Sequence, residues 1–153
     1  MHPLLKKLNY KEQSVALVLY APENVRPLLV EMSTQGQMLE SVPEEKADFA
    51  LIFVTEQQQI NQLIAQLDEK LLGDCTLWFA YPKSSSKKYS CNFNRDNGWA
   101  ALGKHGFEGV RQVSIDEDWT ALRFRRVEFI KKMTRRESFA LSDAGKNKTK
   151  NSK

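Results

Sequence analysis

The chain has 153 residues, 41% of them hydrophobic, which is material for one domain with a sizeable core. Its formal charge of +4 is unevenly placed: residues 1–130 carry 15 Lys/Arg against 17 Asp/Glu, whereas residues 131–153 carry 8 against 2. The body is therefore slightly acidic, which excludes a basic fold wrapped by nucleic acid and makes the positive charge a property of a short tail.

Cys75 and Cys91 are too few for a disulfide framework, and they have no Cys or His neighbours at zinc spacing, so reduced thiols are expected. The start, Met1-His2-Pro3-Leu4-Leu5-Lys6-Lys7, lacks the apolar core of a signal peptide, and no stretch is long enough to span a bilayer. A soluble, cytoplasmic protein with no membrane partner is the expectation. No internal repeat is visible.

In chain order, residues 14–21 form a short apolar run of β-formers that stops at Pro22 and suits a strand buried on both faces. Val25, Leu28, Leu29 and Met32 then recur at helical spacing, with Pro27 tolerable near the start. Residues 37–42 suit a short strand and residues 47–54 a second buried one. Thr55 with Gln58 three positions on predicts a capping box, and Ile60, Leu63, Ile64, Leu67 and Leu71 carry an apolar stripe up to Gly73. Residues 75–81 are the third buried strand. A helix follows over residues 96–106, with Trp99, Leu102 and Gly103 facing a sheet and Gly106 ending it. Residues 110–115 and 121–127 are strands joined by a turn short enough for an antiparallel hairpin. The alternation predicts a three-layer α/β sandwich, mostly parallel, closed by an antiparallel pair. It occupies residues 1–130 as a single domain; residues 131–153 offer no core element and are expected to be a flexible tail.

The succession of elements from Ala47 onward resembles the C-terminal half of Rossmann-like methyltransferases. More specifically, Leu77-Trp78-Phe79-Ala80-Tyr81-Pro82-Lys83-Ser84-Ser85-Ser86, Asn94-Arg95-Asp96, and Val113 to Asp116 with Trp119 to Phe124 resemble a family of small uncharacterised bacterial proteins, a domain of unknown function. That family implies a Rossmann-like fold and no established activity. The resemblance to true methyltransferases fails at the loop after the first strand, where glycines should let the backbone approach the cofactor. Here the loop reads Tyr20-Ala21-Pro22-Glu23-Asn24-Val25, without glycine, and Pro22 removes a donor. No dinucleotide or nucleotide-triphosphate fingerprint is present either, so no cofactor is expected.

Ligands of open α/β sheets gather beyond the carboxyl ends of the strands, and Lys83, Ser84, Ser85, Ser86, Lys87 and Lys88 follow one such end. Ammonium groups and hydroxyls there suit phosphate or carboxylate. Lys83, Ser84 and Ser85, with Arg95 near the same edge, are the candidate anion site; the competing reading is a solvated turn. Asn94 and Asp96 read as helix caps, and Asp116-Glu117-Asp118 as a solvated acidic turn rather than a metal site. Trp78 and Trp99 read as core, and Trp119 as an anchor of the hairpin. Arg123, Arg125 and Arg126 read as charges in or beside an edge strand. His2 and His105 have no triad partners, and no catalytic residue is assigned.

The leading functional expectation is a non-enzymatic binding or assembly protein. The alternative is a transferase-like enzyme acting on an anionic small molecule. A third reading makes the tail a nucleic-acid arm. Under that third reading, binding to mixed-sequence DNA falls steeply with salt and disappears on truncation after Ile130. Filter binding across a salt series checks this, and binding that survives truncation defeats it.

Overall fold

The computed structural model describes residues 3–11, 15–41, 46–93 and 97–130. The expectations for His2, for Asn94, Arg95 and Asp96, and for the tail lie outside the described residues. The elements are α1 (Pro3–Lys7), β1 (Val15–Leu19), α2 (Arg26–Gln35), β2 (Gln37–Leu39), β3 (Ala47–Phe53), α3 (Gln57–Leu67), β4 (Leu71–Pro82), α4 (Ala100–Lys104), β5 (Phe107–Ser114) and β6 (Trp119–Arg126).

The strands form one sheet in the order β2-β1-β3-β4-β6-β5. The pairs β1–β2, β1–β3 and β3–β4 are parallel, and β6 runs antiparallel between β4 and β5. Alternate residues of these strands enter two separate cores. On one face Leu17, Ile52, Leu77, Phe79 and Phe124 meet Ile60, Leu63, Ile64 and Leu67 of α3 and Leu102 of α4. On the other, Val18, Phe49, Leu51 and Trp78 meet Leu5 of α1 and Leu28, Leu29 and Met32 of α2. This is the Rossmann-like three-layer sandwich that continuous apolar strands require, since each of their faces needs cover.

Several boundaries differ from the sequence reading for local reasons. The capping box sits one residue later than Thr55 and Gln58, with Glu56 as N-cap and Gln59 at its third helical position. The Gln59 carboxamide oxygen takes both the Thr55 and Glu56 amides, at 2.8 and 3.0 Å. The α3 helix ends at Leu67 rather than running to Gly73, and Leu71 already belongs to β4, which is longer than the predicted 75–81. The predicted helix 96–106 shrinks to five residues because Gly98 takes φ +92 and Trp99 is not helical, while Gly106, at φ +83, ends it as expected. The short α1 escapes periodicity altogether; it is held by Leu5 and Leu8, both fully buried, and by the Trp78 indole donating to the Leu8 carbonyl at 2.7 Å.

The ends of α3, α4 and β6 are tied together at Asp68. Its carboxylate receives Arg126 Nη1 at 3.0 Å and stands 3.0 Å from His105 Nδ1, while Arg126 Nη2 donates to the Asp68 carbonyl at 2.9 Å. Burial alone would push this carboxyl up, but hydrogen bonds from His105 and Arg126, with their charges, outweigh it and hold the carboxyl below its ordinary value. A depressed carboxyl contributes stability that is complete above its unfolded value, about 4, and is lost as pH falls through the lower folded value. Asp68→Asn therefore costs about 2 kcal/mol at neutral pH and flattens the loss of stability below about pH 4. Urea unfolding at pH 7 and across pH 2–5 checks both.

Candidate functional site

The candidate site begins where β4 ends. Pro82 lacks an amide hydrogen, which a central strand tolerates only at its end, and the next residue resumes the ladder, Lys83 N donating to the Asp118 carbonyl at 2.7 Å. The loop beyond it is pinned rather than loose. Ser86 N donates to the Lys83 carbonyl, the Ser86 hydroxyl donates to Asp118 Oδ1 at 2.8 Å, and Tyr89 N donates back to that hydroxyl at 3.1 Å. Farther on, Asn92 Oδ1 accepts from Gln57 N at 2.9 Å, and Asn92 N donates to the Thr55 carbonyl, fastening the loop to the start of α3.

Between this loop and the sheet lies a cleft of about 1000 Å³. Tyr81 is opposite Thr120, and Thr120 is opposite Ser114, so these three share one face of the sheet and, with Gln112, make the floor. Phe93 and Tyr89 stand in the walls. Lys83 lies over the floor with its ammonium donating to Ser114 Oγ at 2.6 Å. Among the described residues that line it there is no carboxylate, and Lys83 is the one cation.

Of the candidate anion site, Lys83, Ser84 and Ser85 line this cleft, and Arg95 lies outside the described residues. Ser86 lines it too, but its hydroxyl is engaged in closing the turn. Lys87 and Lys88 do not line it; Lys88 sits 5.4 Å above the Tyr89 ring. Sequence reasoning missed Gln112, Ser114 and Thr120. The available signal was polar residues two apart on a strand, opposite a threonine across the hairpin.

One other expectation is corrected. The acidic turn is structural rather than simply solvated: Asp116 Oδ1 accepts from the amides of Asp118 and Trp119, each at 2.8 Å, and Asp116 Oδ2 accepts from Asn24 Nδ2. Arg123, Arg125 and Arg126 lie on β6, beside the edge strand β5, as expected. Arg125 forks onto Asp74 at 2.8 and 2.6 Å, and Arg126 binds Asp68. Burial, with Arg125 and Arg111 nearby, lowers the Arg123 pKa. Trp78 and Trp99 are core as expected, and Trp119 is buried against Phe53 and Tyr89. Cys75 and Cys91 are free thiols, and burial pushes Cys75 up to about 11, which makes it a poor nucleophile at neutral pH.

No family model and no curated protein matches the chain. Solved structures do. The pyocyanin biosynthetic protein PhzM superposes with a TM-score of 0.55 at 13% identity, covering 82% of this chain and 53% of that one. The N-methyltransferase NodS from Bradyrhizobium japonicum WM9, in complex with S-adenosyl-l-homocysteine, gives 0.51 at 13% identity, covering 80% and 83%. The mitomycin 7-O-methyltransferase MmcR gives 0.51 at 12% identity, covering 74% and 49%. The chain thus has the Rossmann-like fold of these proteins, two of them methyltransferases, and spans about half the length of PhzM and of MmcR.

That fold implies S-adenosylmethionine at the loop after β1, beside the point where strand order reverses between β1 and β3. The residues present do not fit it there. Tyr20, not glycine, takes the left-handed conformation at φ 60, and the residue is 63% exposed. Pro22 has no amide hydrogen, Val25 N is already donated to the Pro22 carbonyl, and the Asn24 side chain is held by Asp116. The cleft lies instead at β4, β6 and β5.

Its wall depends on a glycine. A Cβ at Gly98 would stand 2.7 Å from Phe93 Cβ, and φ +92 is itself a conformation side chains rarely adopt. Gly98→Ala is expected to displace Phe93 from Tyr81 and Trp99 and to cost about 1–3 kcal/mol. Thermal unfolding with near-ultraviolet circular dichroism checks this; an unchanged aromatic spectrum would contradict it.

Proposed function

We propose that the protein is a transferase-like enzyme that takes an anionic small molecule into the cleft at Lys83. One observation carries this reading: among the described residues, the cleft is lined by a lysine and a set of serines and by no acid. Its volume, about 1000 Å³, is at the upper end of small-molecule sites, with room for a substrate and a second reactant. The methyltransferase-fold neighbours favour this reading over the non-enzymatic one, and the misfit of the β1 loop directs the group donor to the same cleft.

Among the described lining residues there is neither imidazole nor carboxylate, and the part these residues play is to bind and orient. Lys83 supplies the charge, exchanging its bond to Ser114 for one to the ligand. Ser84 and Ser85, exposed on the rim, supply hydroxyl donors. The same reading places the chain with the small bacterial family that its Tyr81 to Ser86 segment resembles.

Thermal-shift and calorimetric titration with sugar phosphates, nucleotides and S-adenosylmethionine tests the reading. An anion at 100 times its dissociation constant stabilises the fold by about 2.7 kcal/mol. The expected result is stabilisation by phosphorylated ligands, none by S-adenosylmethionine alone, and loss of at least about tenfold in affinity in Lys83→Ala. No shift with any anion, or an unchanged affinity in Lys83→Ala, overturns it.

A further inference from the structure

The cleft floor has a second polar group whose orientation the hydrogen bonds determine. Gln112 lies two residues before Ser114 on β5, and its Nε2 is 3.2 Å from Thr120 Oγ1 and 3.4 Å from the Tyr81 hydroxyl. The Thr120 hydroxyl has one hydrogen, and it stands 3.2 Å from the Val113 carbonyl oxygen, which can only accept. That hydrogen is therefore donated to Val113. Toward Gln112, Thr120 Oγ1 can only accept, so the nitrogen end of the carboxamide faces Thr120 and the oxygen end faces away.

Gln112 Oε1 has no partner among the described residues, and Gln112 lines the cleft. The floor thus offers a neutral acceptor at Gln112 and, two residues along the same strand at Ser114, the ammonium of Lys83. Positions two apart on a strand are separated by roughly 6.5 Å. An anion as small as inorganic phosphate can satisfy the ammonium but does not carry a donor across that distance to Gln112. A phosphorylated sugar carries both an anion and hydroxyl donors at that reach, and the serines around Lys83 suit the several oxygens of a phosphate better than the two of a carboxylate.

We propose that Gln112 is the specificity-determining residue of the cleft, accepting a hydrogen bond from a ligand hydroxyl while Lys83 holds the phosphate, so that the ligand class is a sugar phosphate. Thr120 acts as a positioning residue, by fixing which end of the carboxamide faces the ligand. This rests on the anion-binding reading of the same cleft and adds a demand that reading does not make.

Calorimetric titration of the full chain with ribose 5-phosphate and, separately, inorganic phosphate tests it. The wild type is expected to bind ribose 5-phosphate at least about tenfold more tightly than inorganic phosphate, the worth of one hydrogen bond. Gln112→Leu is expected to abolish that preference and leave the affinity for inorganic phosphate unchanged. Thr120→Val, which keeps Gln112 but removes the nearer of the two hydroxyls that hold its carboxamide, is expected to reduce the preference several-fold, again without changing inorganic phosphate binding. A general structural defect would weaken both ligands together. Equal binding of the two ligands by the wild type, or a preference that survives in Gln112→Leu, overturns the proposal while leaving anion binding intact. Binding of neither ligand by the wild type overturns both readings.

Discussion

The insertion of β6 between β4 and β5 is the constraint on which the rest of the molecule depends. Pairing of Leu77 to Pro82 with Phe124 to Trp119 places the Asp118 carbonyl opposite Lys83 N, so the chain leaves β4 in a fixed direction despite Pro82. The same register sets Ser114 opposite Thr120 and Thr120 opposite Tyr81, which brings three polar side chains from three strands to one face. A slip of β6 by one residue would send Thr120 and Phe124 to the other face and separate the Phe79 and Phe124 rings, whose centroids are 6.0 Å apart. Burial of those two rings, worth about 2 kcal/mol or more each, therefore also fixes the register of the cleft floor.

Charge pairing reinforces this insertion at the opposite end of the sheet. Arg125 joins β6 to Asp74 on β4, and Arg126 joins it to Asp68 at the end of α3 while lying 4.5 Å from the Phe107 ring. The Arg125 hydrogen bond holds the Asp74 carboxyl below its ordinary value, against the opposing effect of burial. These pairs are partly exposed, so their contribution is modest beside that of the aromatic core. Their position matters more: they hold the last strand at its far end, where β5 and β6 have shifted register around Val110.

The legible parts of the fold were those with strong local patterns. Continuous apolar runs at Val15 to Leu19, Ala47 to Phe53 and Cys75 to Tyr81 can be satisfied only by cover on both faces, and the sheet and its class follow from them. The stripe of α3 was equally plain, although its end was not, because Leu71 keeps helical spacing while its side chain belongs to a strand. The loop Lys83 to Ser85 was visible because charge and hydroxyls directly follow an apolar strand. Gln112, Ser114 and Thr120 were not visible as site residues, because their meaning comes from cross-strand register, a nonlocal fact. The acidic turn failed for a related reason: Asp116 is bound by its own turn and by Asn24, a residue 92 positions away.

The cleft is present because the cover on its face is short. Five residues of α4 protect the lower part of β6 and β4 through Leu102, with Trp99 at its entry packed on Phe79, Phe124 and Tyr81. Above Trp99 no described helix continues, and cover passes to Phe93, which reaches back from the loop to stack against Tyr81 and Trp99. A longer helix would bury Gln112 and require each of its polar atoms to find a protein partner. Ending the helix early leaves Gln112 exposed at the cleft, with Tyr81 and Phe93 packed beside it. The break at Gly98 and Trp99 that shortens α4 is thus the same feature that opens the cleft, and the close approach of Gly98 to Phe93 joins the two in one piece of backbone.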